Sequence, residues 1–215
     1  LILSSSPLLD NVSAVWFSER MATRGSLKVL LVRHATPIRA GTVGINDDDR
    51  PLTQQGVADA ERLAAIHAGV EIAAIYSSPY RRAFQTVEPA AARLGITVEV
   101  IHDLRERYLM APGLPDREWR PHLERAWRDF DYAPPGGESG RLAQARVLRV
   151  LGQIKERHRS GVVMAGSHGN LIALALNAMD PRLGMEFWAA MPMPAVYRVE
   201  ATASGWRIVS GPSIG

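Results

Sequence analysis

Short hydrophobic runs alternate along this chain with longer stretches whose apolar positions recur at helical spacing. Lys28-Val-Leu-Leu-Val32 has the continuous apolar character of a strand buried on both faces. A loop follows, carrying Gly41, Gly44 and the acidic triplet Asp47-Asp48-Asp49, and Thr53 then stands as the N-cap of a helix marked by Val57, Ala60, Leu63 and Ala64 and stopped at Gly69. Ile72 to Tyr76 reads as a second strand. Ser78-Pro79 is an N-cap and first-turn pair opening a helix toward Leu94 and Gly95, with Pro89 predicting a kink or early break. Ile96 to Ile101 is a third strand. The stretch from Ala111 to Gly137 is rich in Pro and aromatic residues and holds a short helix around Trp119 to Phe130. A long helix is predicted from Ser139 to Arg159, with Leu142, Ala145, Leu148 and Leu151 to Ile154 marking its turns. Val162 to Ala165 is a fourth buried strand, Leu171 to Met179 a helix ended by Asp180-Pro181, and Ala195 to Glu200 and Trp206 to Val209 are two late strands around Ser204-Gly205. Strands alternating with helices predict a three-layer α/β/α fold, a mostly parallel sheet flanked by helices.

Composition narrows the class. The 215 residues are 47% hydrophobic and 22% charged, ample for a core and unlike a disordered or collagenous chain. There is no Cys, which removes disulfides, thiolate nucleophiles and Cys-ligated metals and fits a reducing, cytoplasmic setting. Residues 1–25 lack a sustained period and the parts of a secretory signal; they are read as an irregular leader, with one catalytic domain over 26–215. No apolar run reaches membrane-spanning length, so no membrane partner is expected. The net charge is +3 and the arginines are dispersed; a nucleic-acid partner is not expected either. The sequence leaves oligomeric state open.

Ligands of open α/β sheets bind beyond the carboxyl ends of the strands. The residues delivered there are Arg33-His34-Ala35-Thr36-Pro37, Ser77-Ser78-Pro79-Tyr80-Arg81-Arg82, Asp103-Leu104-Arg105-Glu106-Arg107 and Gly166-Ser167-His168-Gly169-Asn170. Two histidines, several arginines and a carboxylate gathered at one rim suit phosphoryl transfer. Arginine holds two phosphate oxygens at once, a neutral imidazole attacks phosphorus, and a carboxyl of raised pKa protonates the leaving oxygen. No metal or other cofactor is expected, since the arginines supply the positive charge; the expected partner is a small phosphorylated substrate.

Five segments in order resemble the histidine phosphatase superfamily, the phosphoglycerate mutase-like fold. They are Leu31-Val-Arg-His34 with Pro51-Leu-Thr-Gln-Gln-Gly56, Ser77 to Thr86, Leu104-Arg-Glu106, Gly136-Gly-Glu-Ser139 and Ser167-His-Gly169. The resemblance implies His34 as the phosphorylated nucleophile, Arg33, Arg82 and His168 as the phosphate pocket, and Glu106 as the proton donor. Arg39 and Asn170 are further substrate-binding candidates, Tyr108 joins Arg39 at the substrate entrance, and Glu138 is structural. The reading is a metal-independent phosphatase of phosphomonoesters; the alternatives are a cofactor-dependent phosphoglycerate mutase and a non-catalytic module that binds phosphorylated ligands.

Two departures from the family pattern matter. Ala35-Thr36-Pro37 stands where Gly-Glu-Thr is usual, and the Asn that commonly contacts phosphate is missing at its spacing. A short Pro-rich segment after Glu106 and a compact C-terminal tail favour phosphatase over mutase. The remaining candidates receive ordinary structural readings. His67, His102, His122 and His158 are hydrogen-bonded residues, and Arg81, Arg105 and Arg107 are solvated or salt-bridged. Asp47 to Asp49 form a solvated loop, Trp119, Trp127 and Trp188 pack, and Met191 to Pro194 is a turn without chemistry.

Overall fold

The structure is a computed structural model that describes residues 25–109 and 116–212, with the backbone alone for 116–119. The leader and the side chain of Trp119 lie outside the described residues. The chain runs β1 (Leu27–Arg33), α1 (Gln54–Ile66), β2 (Ile72–Ser77), α2 (Arg81–Leu94), β3 (Val98–Val100), a 3-10 turn (His102–Leu104), α3 (Asp116–Arg128), α4 (Gly140–Arg157), β4 (Gly161–Ser167), α5 (Gly169–Met179), α6 (Met185–Ala190), β5 (Ala195–Thr202) and β6 (Gly205–Ser210).

Six strands form one sheet in the order β3-β2-β4-β1-β5-β6. The first four are parallel and the last two antiparallel, so the expected mostly parallel sheet is present. Successive residues of β1 point to opposite faces. Leu27, Val29 and Leu31 join a core with α4 and α5, whereas Leu30 and Val32 join a second core with α1 and α2. Two apolar layers on one sheet make the α/β/α sandwich and explain why β1 reads as an unbroken apolar run.

The connection leaving β1 crosses one face to β2, and the connection leaving β4 crosses the other toward β5. β1 and β4 are neighbours, so the crevice between their carboxyl ends is the topological switch point, where such sheets bind ligands.

Several elements differ from the sequence expectation for local reasons. Ser78 does not cap α2: Tyr80 holds the cap position without a side-chain bond, and Ser78 Oγ is drawn to His168 instead. Pro89 does not end α2, which continues to Leu94 and closes on Gly95 in the left-handed region (φ 66°). The turn back from Ile96 N to Ala91 O consumes Ile96, leaving only Val98–Val100 for β3. In α4 the buried face runs through Ala143, Val147, Val150, Leu151 and Ile154, while Leu142 is exposed; Val57 of α1 is exposed too. Helix α6 was not expected; its Phe187 and Trp188 lie against the core over α5.

Thr53 caps α1 as expected, accepting from Gly56 N at 3.0 Å. Gly56 is also packed so closely that a Cβ there would lie 2.3 Å from Thr36 O. The neighbour is backbone and cannot rotate away. Gly56→Ala therefore lowers stability by about 1–3 kcal/mol, the overpacking cost exceeding the roughly 1 kcal/mol that alanine adds in helix propensity. Thermal unfolding of the variant checks this; an unchanged or raised midpoint contradicts it.

Candidate active site

The two histidines are placed by the sheet itself. β1 and β4 remain in register to Arg33 opposite Ser167, and His34 N donates to Ser167 O at 3.0 Å. The chain after each strand therefore leaves the same rim, and the His34 and His168 rings stand 5.2 Å apart in an edge-on arrangement.

His34 is only 7% exposed, and its Nδ1 lies 2.8 Å from Ala35 O. A carbonyl only accepts, so Nδ1 carries the proton and Nε2 keeps its lone pair. Burial and the charges of Arg82, Arg33 and Arg50 lower its pKa to about 3, so the imidazole is neutral over the physiological range. His168 is fully buried between Ser78 Oγ, 2.8 Å from its Nε2, and the ring of Tyr80. Burial, then the neighbouring His34 and Arg82, hold its pKa well below the usual value.

Glu106 reaches the same crevice from the segment after the 3-10 turn. Its carboxyl accepts from Arg107 N (2.8 Å), Leu171 N (3.0 Å) and Asn170 N (3.2 Å). The last two are first-turn donors of α5, whose own cap residue, His168, makes no side-chain cap bond. Glu106 thus occupies the place of a capping carboxylate supplied from elsewhere in the chain. Burial nevertheless raises its pKa, outweighing the three N–H donors and the Arg82 charge. The carboxyl is consequently biased toward holding a proton.

The segment bearing Glu106 is fixed from behind by α4. Arg146, 3% exposed, grips Glu138 with both arms, Nε to Oε1 at 2.9 Å and a terminal nitrogen to Oε2 at 2.6 Å. Its other terminal nitrogen donates to Asp103 O and Arg105 O at 2.6 and 2.9 Å. Glu138 is structural in this geometry, as expected, and Ser167 Oγ adds a 2.7 Å bond to Leu104 O. Arg146 was missed in the sequence because nothing near it marks it off from other helix arginines.

Arg82 is 3% exposed and lies 4.8 Å over the Tyr80 ring. Its terminal nitrogens donate to the backbone oxygen and the carboxylate of Asp47, and its buried Nε has no hydrogen-bond partner among the described residues. Asp47 is therefore not simply solvated: its carboxylate also accepts from Arg50 at 2.8 Å. Asp48 and Asp49 are exposed, as expected. Arg50, a second residue missed by the sequence reading, is anchored by Ile38 O at 2.9 Å; its position just before Pro51-Leu52-Thr53 was the available signal.

Arg33 turns toward the turn after α6, donating to Met191 O and to Pro192 O, so those residues do serve the site through their carbonyls. A Cβ on Gly169 would lie 2.9 Å from Arg33 Nε; glycine there lets the guanidinium lie against the start of α5. Asn170 is buried, and neither side-chain polar atom has a hydrogen-bond partner among the described residues. Arg39 is exposed, and no hydrogen bond or ion pair among the described residues ties its side chain to the crevice. Arg107 corrects its expectation: at 2% exposure it is not solvated, and it forms no salt bridge among the described residues. Its Nε donates to Glu138 O at 3.0 Å, and burial lowers its pKa to about 10.

The four other histidines are held as structural residues. His67 is buried on Leu63 O, His158 meets Tyr76 Oη, His122 meets Tyr132 Oη and His102 meets Arg105. Among the described residues, no His, Asp or Glu side chains are grouped as metal ligands would be, and no helix is long and apolar enough to cross a membrane. A cavity of about 600 Å³ opens at the opposite end of β1, beside Ser26, Lys155 and Thr202, far from this chemistry.

Comparison with known proteins agrees with the geometry. The family model described as histidine phosphatase superfamily (branch 1) matches residues 29–211. A 2,3-bisphosphoglycerate-dependent phosphoglycerate mutase of Azorhizobium caulinodans is 31% identical over 172 residues, spanning 73% of this chain and 84% of the mutase. Among solved structures, YhfR of Bacillus stearothermophilus superposes with a TM-score of 0.73 at 26% identity, covering 88% of this chain and 98% of its own. A mycobacterial glucosyl-3-phosphoglycerate phosphatase shares the fold at a TM-score of 0.73 and 24% identity, covering 88% of this chain and all of its own. With its two histidines at the switch point of the sheet and its family motifs in order, the chain belongs to the histidine phosphatase superfamily.

Proposed function

We propose that this chain is a phosphomonoesterase that works through a phosphohistidine on His34. The observation that carries the reading is the fixed tautomer of His34: Nδ1–H is spent on Ala35 O, leaving a neutral Nε2 beside arginines and a carboxyl of raised pKa. Nε2 attacks phosphorus and the ester P–O bond breaks, its electrons going to the leaving oxygen, which takes the Glu106 proton. Water then attacks phosphorus as Glu106 takes its proton; the P–N bond breaks, its electrons return to His34 Nε2, and phosphate leaves. Arg33, Arg82 and His168 stabilise the equatorial oxygens, and the amide of Asn170 supplies donors to the substrate beyond them. Arg39 acts at the rim, on whatever the phosphate is attached to. The cytoplasm is the proposed setting.

Phosphate release from a panel of monoesters in excess chelator tests the reading. The similarity to phosphoglycerate mutases supports a second one, and 3-phosphoglycerate separates the two: free phosphate from a phosphatase, an isomerised ester from a mutase. Failure of both reactions beside tight phospholigand binding leaves the binding module.

Glu106→Gln is expected to slow alkyl phosphates by about 10²–10⁴-fold, the range of general acid catalysis, with far less effect on aryl esters whose leaving groups need no proton. Equal losses on the two kinds of ester contradict the role of proton donor.

A further inference from the structure

The strongest unexplained feature of the crevice is that its buried arginine is already engaged by an anion. One terminal nitrogen of Arg82 donates to the Asp47 carboxylate at 3.2 Å and the other to the Asp47 backbone oxygen, while Nε is buried without a hydrogen-bond partner among the described residues. The opposite carboxylate oxygen of Asp47 accepts from Arg50 at 2.8 Å. A single carboxylate thus bridges two guanidinium groups whose charges reach both His34 and His168. Arg82 itself touches the carboxylate through one terminal nitrogen, so that contact is the one an arriving oxyanion would take over. Asp47 belongs to the loop between β1 and α1, its side chain is 59% exposed, and Gly41 and Gly44 on the same loop adopt positive φ (77° and 78°). Arg82, by contrast, is fixed in α2 with 3% exposure. Of the two partners, the carboxylate is the one free to leave.

We propose that Asp47 is the internal tenant of the phosphoryl pocket, an intramolecular anion that an incoming phosphoryl group displaces from Arg82. This inference rests on the proposed phosphoryl chemistry of the same site. Displacement carries the same free-energy cost whichever anion arrives. It therefore weakens every ligand by one common factor, and weakly held monoanions drop out while well-coordinated phosphoryl groups remain. Asp47 in this sense sets an affinity threshold for the pocket: it decides how tightly any anion must be held to enter, and leaves the ratio between ligands unchanged. A carboxylate that stayed in place and merely repelled ligands would act differently, penalising a dianion more than a monoanion.

The test compares anion binding to wild type, Asp47→Asn and the neighbouring Asp49→Asn by calorimetry. The probes are inorganic phosphate, at mildly alkaline pH where it is a dianion, and perrhenate, a monoanion of similar shape. Asp47→Asn is expected to bind both more tightly by a similar factor, about tenfold for loss of one partly exposed charge-assisted contact, with Asp49→Asn unchanged. Unchanged or weaker phosphate binding by Asp47→Asn overturns the proposal, as does a gain confined to the dianion. Should the Asn variant fold poorly, a crystal structure of the wild type with phosphate decides: Arg82 released from Asp47 supports displacement, and Arg82 still on Asp47 beside the bound phosphate overturns it. Binding is read without turnover, so the two readings fail separately. Tighter phosphate binding with no ester hydrolysed defeats the phosphatase alone; active hydrolysis with unchanged binding defeats the tenant alone.

Discussion

Alanine at position 34 is expected to abolish phosphate release, by at least about 10⁴-fold, while the protein remains folded. The loss is large because, in the proposed mechanism, the imidazole supplies the nitrogen that bonds to phosphorus; without it Arg33, Arg82 and His168 would surround a phosphoryl group with nothing to receive it. The fold survives because the removed ring sits at a strand exit, and its backbone bond to Ser167 O is retained by any residue. Rapid-quench trapping of a phosphorylated intermediate in the wild type, absent from the variant, is the direct measurement; wild-type turnover in the variant would falsify the assignment. The same residue sets the acid side of the pH profile. Its folded pKa of about 3 lies below the ordinary histidine value, so the imidazole stays unprotonated, and the proposed nucleophile is expected to remain competent, well below pH 6.5. The sign for stability follows: between the two values the unfolded chain binds a proton that the folded one refuses. The contribution is full above about pH 6.5 and is lost as pH falls toward 3. His34→Ala removes that dependence, so the variant should lose less stability than the wild type on acidification.

Arg146→Ala is expected to cost about 3–5 kcal/mol, because it leaves Glu138 without its counter-charge and strips two carbonyls of their donor. The side chain of Glu138 is 16% exposed and that of Arg146 4%, so water does little to replace the lost partner. Denaturant unfolding checks the stability loss; a change under about 1 kcal/mol would place the pair in the class of surface bridges instead. Function should respond as well, since Arg146 holds Asp103 O, within the 3-10 turn, and Arg105 O, just after it, on the segment that leads into Glu106. The deficit should fall on alkyl esters more than aryl ones, the pattern of a displaced proton donor, and that split distinguishes positioning from general loosening.

The central strands and the motif residues were legible because each is encoded locally. β1 and β4 read as apolar runs, Thr53 as a cap, and His34, Glu106 and His168 as residues delivered at strand ends. What was hidden depended on partners distant in sequence. Ser78 has the signature of an N-cap, but His168, 90 residues on, claims its hydroxyl. Asp47 looks like one of three equivalent loop acids until Arg82 is brought beside it by α2. Arg146 and Arg50 are ordinary arginines until folding supplies their acceptors. Arginines are mostly exposed, and only folding shows Arg107 to be buried with its Nε on Glu138 O.

The seven-pair ladder between β1 and β4 has a consequence for how activity fails under stress. Amides of central strands exchange with solvent only through global opening, whereas loop segments open at a small fraction of that free energy. His34 and His168 are bolted to the slow part, and Asp47 rides on the fast part. Mild heat or low denaturant will then loosen the loop while the histidine pair keeps its spacing. Occupancy of the pocket by ligands will drift first, and the chemical step will persist until the sheet itself comes apart.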